Sequence, residues 1–196
     1  MDPSVRQTEL AAYVSPEHYL HLERAAEEKH EYFEGEVRAT AGAGFMHNVL
    51  CANLAGEISK RMRGKNCAVV GSNQRLQVLN GSAYVYPDLT VVCGQPEFNE
   101  EKIFDTLLNP TLLVEVLSES TTDKDRSEKF MLYRQIPSLQ QYLMLDSRTC
   151  LAELYTRQPN GNWLFAETRD LTAILDLGSI DCQVPLAEVY PGLDGF

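Results

Sequence analysis

VYPDLTVVCG, residues Val85 to Gly94, reads as a buried β-strand that carries an aspartate, Asp88, directly behind a proline. NPTLLVEVLSES, residues Asn109 to Ser120, repeats the anomaly: Glu115 stands in the aliphatic run Leu112 to Leu117. Alternate side chains of a strand share a face, so Leu113, Glu115 and Leu117 point one way while Val114 and Val116 point the other. Glu115 therefore cannot reach water by a small slip. An unpaired buried carboxylate costs several kcal/mol, a large part of the ~5–15 kcal/mol that holds a domain together.

Three arrangements relieve that cost: a raised pKa that neutralises the glutamate, an arginine or lysine partner, or a divalent cation shared with another carboxylate. Proline is tolerated at a strand start or edge, which sets Asp88 where adjacent strands diverge and favours the third arrangement. Simpler readings stay open, with Asp88 as a turn cap and Glu115 on an edge strand facing water.

Working outward, Ser15 with Pro16 behind it opens a helix, and the chain then turns at Gly35 within Glu31 to Thr40 and enters a strand. Val49, Leu50, Leu54, Ile58 and Met62 recur at helical spacing, and Gly64 closes that second helix. CAVVGSN, QRLQVLN and YVYPDLTVVC are strand candidates, the last two parted by the turn NGSA. A helix is expected from about Thr122 or Asp123 to before Pro137, then the strand LQQYLMLDS. LAELYTRQPNGNWLFAET, with its Asn160-Gly161 turn, and SIDCQVPLAEVYP read as hairpins. This order predicts an α/β fold with a mixed central β-sheet flanked by helices.

The 196 residues suit a single domain, and 44% hydrophobic with 23% charged residues is a globular composition. No run approaches the roughly 18 apolar residues of a membrane span, and MDPSVRQTEL does not resemble a signal peptide, so the expected address is cytoplasmic. The five cysteines form no CxxC pair and read as reduced core residues, which disfavours a zinc site. A net charge of −11 argues against a protein that coats nucleic acid. Part of that charge belongs to a carboxylate site if the site carries metal ions.

YPDLTVV, then LLVEVLSEST, then the asparate-led stretch ending RSEKFMLYRQIPSLQQYLMLD resemble, in this order, the Uma2 family of endonucleases, common in cyanobacteria and part of the PD-(D/E)XK superfamily. The resemblance runs from about Ser15 to Leu193 and implies a restriction-endonuclease-like core. It places Asp88 in the Pro-Asp element and Glu115 in the second acidic element. Glu31, Gly35 and Glu36 match the family's early acidic element, and His47 its helical histidine. The superfamily pattern has lysine two residues after the glutamate, where this chain has Leu117.

Lys129 is the candidate replacement, on a helical stripe with Arg126, Tyr133 and Ile136; its plainer role is a surface pair with Asp125. The resemblance implies Asp88, Glu115 and Glu36 as metal ligands and these with Lys129 as catalytic residues, with Glu31, His47 and Tyr133 lining the cleft. Carboxylate oxygens favour Mg²⁺ or Mn²⁺. The implied activity is metal-dependent hydrolysis of phosphodiester bonds in DNA by a homodimer, with no membrane partner. The alternative is a catalytically silent dimeric binding module, for which Leu117 and the net charge both speak.

Overall fold

The computed structural model describes residues 13–40, 42–100, 105–118 and 123–190, and only the backbone of 123–127. Helix α1 (Pro16–Glu23) begins as its sequence predicts, with the Ser15 side chain accepting a hydrogen bond from the His18 amide and Pro16 behind it. Strands β1 (His30–Phe33) and β2 (Glu36–Ala39) form a hairpin. Its two turn residues, Glu34 and Gly35, both have positive φ, which suits the right-handed twist of the strands. Helix α2 (Phe45–Arg61) buries Leu50, Leu54 and Ile58, each fully, and at about 1.5–3 kcal/mol per side chain this stripe holds the helix to its sheet.

Next come β3 (Cys67–Gly71), β4 (Arg75–Val78), β5 (Ala83–Val85), β6 (Leu89–Cys93), β7 (Thr106–Leu107) and β8 (Leu112–Leu117). Helix α3 (Asp123–Tyr133) leads to β9 (Gln141–Asp146), followed by the hairpin of β10 (Ala152–Arg157) and β11 (Trp163–Thr168). Strands β12 (Ile174–Leu177) and β13 (Cys182–Pro185) and the short helix α4 (Leu186–Val189) complete the described chain. β13 finds its partner in β12, upstream of the SIDCQVPLAEVYP segment that reads as a hairpin by itself.

The expected α/β fold with helices flanking mixed strands is present, but the strands divide into two larger sheets. One has the order β2-β1-β5-β4-β7 and the other β11-β10-β9-β8-β6-β3. YVYPDLTVVC is thus not one strand. It is broken at Tyr86–Asp88, where Pro87 cannot donate a ladder hydrogen bond, and its halves enter different sheets.

The six-stranded sheet is buried on both faces. Leu89, Val91, Leu112, Val114, Val116, Leu143 and Leu145 pack against α2, β12, β13 and α4. Val92, Leu113, Leu117, Tyr142 and Met144 pack against the α3 segment and the five-stranded sheet. β8 and β9 are parallel and are joined through α3, whereas β6 is antiparallel to β8. Double-sided burial explains why β8 is a continuous aliphatic run, and it makes Glu115 an exception with a cause.

The cysteines need a correction. Cys67 and Cys93 are cross-strand partners on β3 and β6 and are joined as a disulfide, while Cys51, Cys150 and Cys182 are free thiols. Strand register brings together two residues whose sequence context showed only apolar neighbours. No helix among the described residues is long and apolar enough to cross a membrane.

Candidate active site

β6 and β8 place the two anomalous acids together. Leu89 pairs with Val114, so one step further along the antiparallel ladder Asp88 comes opposite Glu115. Asp88 Oδ2 accepts hydrogen bonds from the Val116 amide at 2.8 Å and, with the imidazole nitrogen as donor, from His47 Nε2 at 3.1 Å. That carboxylate is therefore held by the backbone of one neighbour and by the first turn of α2.

Glu115 is 5% exposed. Its Oε1 accepts from Lys129 Nζ at 2.9 Å and from the Tyr133 hydroxyl at 2.7 Å. Both donors come from α3, one turn apart, so the helix that follows β8 returns over it and caps the buried acid. Burial pushes the Glu115 carboxyl up to about 7, Lys129 opposes that shift, and Asp88 adds to it. Burial works against the Lys129 ammonium, but Glu115, Glu31 and Asp88 outweigh it and raise its pKa. The hydrogen bond to Asp88 raises the His47 pKa despite partial burial. Burial raises the Tyr133 phenol well above its ordinary range.

Asp88, Glu115, His47 and Lys129 line a cleft of about 1030 Å³ that also includes Glu31, Lys29, Tyr86, Leu117 and Tyr142. Tyr133, expected on the cleft wall, is instead fully buried and reaches the site only through its hydrogen bond to Glu115. Glu31 Oε1 accepts from the Tyr86 amide at 3.3 Å. The structure brings Glu31, not Glu36, to this cleft. The Glu34–Gly35 turn sets Glu36 opposite Phe33, two residues along β1 from Glu31, and an exposed Arg38 pairs with it at 2.7 Å. Glu36 lines an adjoining cavity of about 820 Å³, whose wall shares Glu31 and Lys129 with the cleft. Leu117 is buried where the superfamily pattern has lysine, and the ammonium near Glu115 comes from Lys129 instead. The side chains of Asp125 and Arg126, invoked beside Lys129, lie outside the described residues.

Cys51 and Tyr142 were not singled out by the sequence. Cys51 lies one turn after His47 on α2, its sulfur 3.7 Å from His47 Nδ1, and a helical His-x-x-x-Cys spacing was the available signal. Burial, Asp88 and Glu115 push its thiol up to about 12. The Tyr142 hydroxyl is buried with no hydrogen-bond partner among the described residues. Only its position two residues into an apolar strand marked it.

The donor set fits a divalent cation. Each carboxylate has one oxygen occupied by protein donors, while Asp88 Oδ1 and Glu115 Oε2 have no hydrogen bond among the described residues. Two oxygens from facing residues suit a hard ion. His47, Cys51 and Asp88 also offer ligand atoms within 4.8 Å of one another, a more nitrogen- and sulfur-rich group at the same carboxylate.

A two-sided sheet with an Asp–Glu pair at its β6/β8 junction and a lysine returned from the following helix defines an α/β protein of the restriction-endonuclease-like class. The chain belongs to the Uma2 family, described as "Putative restriction endonuclease", whose sequence profile matches residues 16–185. It is 34% identical over 180 residues to the uncharacterized protein slr1290 of Synechocystis sp., covering 92% of this chain and 93% of that one. It is 35% identical over 149 residues to sll1609 of the same organism, covering 76% and 84%. Its fold matches the crystal structure of a protein from Anabaena variabilis described as a putative nuclease of DUF820, with a TM-score of 0.74 at 15% identity, over 90% of this chain and 97% of the other.

Proposed function

We propose that the protein is a divalent-metal-dependent nuclease that hydrolyses phosphodiester bonds, with DNA as substrate. The observation that carries this reading is the buried Glu115, held by Lys129 and Tyr133 and set beside Asp88 with one oxygen of each carboxylate left over. A silent fold would be more stable with an aliphatic residue at position 115. Family membership supports the same class of activity.

Asp88 and Glu115 would hold Mg²⁺ or Mn²⁺, with Glu31 the early glutamate that shares their cleft; Glu36 would first have to leave Arg38. When bound, such an ion polarises a phosphoryl oxygen and lowers the pKa of a coordinated water. Tyr133 holds Glu115 in one orientation. Lys129 would place a positive charge beside the phosphoryl oxygens on which charge develops, and Lys29, which donates to the Ser72 carbonyl at 2.9 Å, adds a second cation to the cleft lining. His47 keeps Asp88 from rotating.

The test is cleavage of supercoiled plasmid with Mn²⁺ by wild type, Lys129→Ala and Glu115→Gln. Loss of one transition-state stabiliser lowers the rate by about 10²–10³, the drop expected for Lys129→Ala, and Glu115→Gln should be inactive. Wild-type activity in Lys129→Ala would remove the lysine from the mechanism. Inactivity of all three with metal bound to the wild type would favour the silent module, the reading for which the buried Leu117 speaks.

A further inference from the structure

β11 is an outer strand of the six-stranded sheet among the described residues. β11 has the sequence WLFAET, with no lysine, no proline and an unbroken six-pair register with β10, so Glu167 is the one charge that guards this edge. Leu164 is 59% and Phe165 46% exposed, on opposite faces of the strand.

The hydrogen-bond phase of this edge is fixed. The Arg157 amide donates to Gln140 on the β9 side, and the Gln158 amide donates to Asn162 across the hairpin. Odd residues of β10 therefore turn their backbone groups toward β9 and even ones toward β11. Through the register Thr156 to Leu164 and Leu154 to Ala166, the even residues of β11 are the ones bonded to β10. The N–H and C=O groups of Trp163, Phe165 and Glu167 point outward, and no strand pairs with them among the described residues.

We propose that two copies join antiparallel along β11 about a two-fold axis at Phe165, continuing one sheet through both molecules. Phe165 then faces Phe165 of the second copy, and Trp163 faces Glu167, all of them residues whose backbone groups are available. Each such pair exchanges two hydrogen bonds.

Side chains favour this register. Tyr142, Tyr155 and Phe165 form an aromatic ladder across β9, β10 and β11, with centroid separations of 6.2 and 4.9 Å, that ends at the open edge and would continue into the second copy. Within one chain Glu167 sits opposite Glu153 in the ladder. Across the axis it would lie beside Trp163, whose ring carries the Arg157 guanidinium 4.6 Å from its centroid. Arg157 has three carbonyl acceptors and no carboxylate among the described residues, so Glu167 of the second copy would add a carboxylate near a guanidinium that lacks one. The pairing stands independently of the hydrolytic reading.

Sedimentation over about 5–200 µM, where dimers of ordinary interface size are populated, measures the association. Phe165→Lys should abolish it. Glu167→Lys, at an exposed position, should leave the melting temperature nearly unchanged yet weaken the dimer at least tenfold. Hydrogen exchange should slow with concentration at the Trp163, Phe165 and Glu167 amides and stay constant at Leu164 and Ala166. A monomer throughout that range would overturn the proposal, as would a dimer indifferent to both substitutions.

Discussion

Glu115 is where local sequence and environment conflict most, and its titration follows from that conflict. The folded state holds its proton more tightly than the unfolded chain does, because burial and Asp88 raise the carboxyl pKa to about 7 from an ordinary 4.5. Its stabilising contribution is therefore fully present below pH 4.5 and is lost as the pH rises through 7. The wild type should gain on Glu115→Gln by up to about 3 kcal/mol when the pH falls from 8 to 5, in urea unfolding without metal. A pH-independent gap between the two proteins would show that Glu115 ionises normally. At this scale the sequence was informative: Asp88 and Glu115 stood out as charges in apolar strands, whereas Lys129 and Tyr133 were picked out by the family resemblance, helical spacing adding only that they share a stripe. Glu31 and Glu36 could not be separated, because both lie on one face of a hairpin and only the path of its turn decides which enters the cleft.

The elements show a second kind of limit. Helices α1, α2 and α3 begin close to where caps and periodicity place them, and α2 and α3 end near Gly64 and before Pro137, since those signals are local; α1 stops at Glu23, well short of the Glu31 region where the sequence has the chain leave it. The Cys67–Cys93 bridge joins strands whose cysteines are separated by 26 in sequence, and no local signal announces it. Without reductant, the unfolded protein should titrate as the three thiols Cys51, Cys150 and Cys182. Reduction or Cys93→Ser should lower stability by about 2–4 kcal/mol, the usual effect of opening a loop of this length. Five titratable thiols would mean that the pair stays reduced under those conditions and that the sequence expectation stands.

For the molecule as a whole, a bound cation couples the site to global stability. Both carboxylates come from strands of the six-stranded sheet, so an ion that binds only the folded chain must stabilise the whole of it. At tenfold excess over its dissociation constant, Mg²⁺ or Mn²⁺ should add about 1.4 kcal/mol to the unfolding free energy. Asp88→Asn should abolish the gain, and a full thermal shift retained in that variant would remove Asp88 from the ligand set. The sequence by itself determined the class of fold, the two acids and the helix that carries their lysine, because apolar periodicity, turn chemistry and the cost of a buried charge are written in short stretches of chain. Only the tertiary structure decided that Pro87 divides one apparent strand between two sheets, that Asp88 meets Glu115, that Cys51 joins His47 beside them, and that β11 is left as an edge. Pro87 and the His47-x-x-x-Cys51 spacing are local, but which sheets the two halves join, which groups meet in the cleft and which strand is left outermost depend on strand order and register, which arise from long-range pairing.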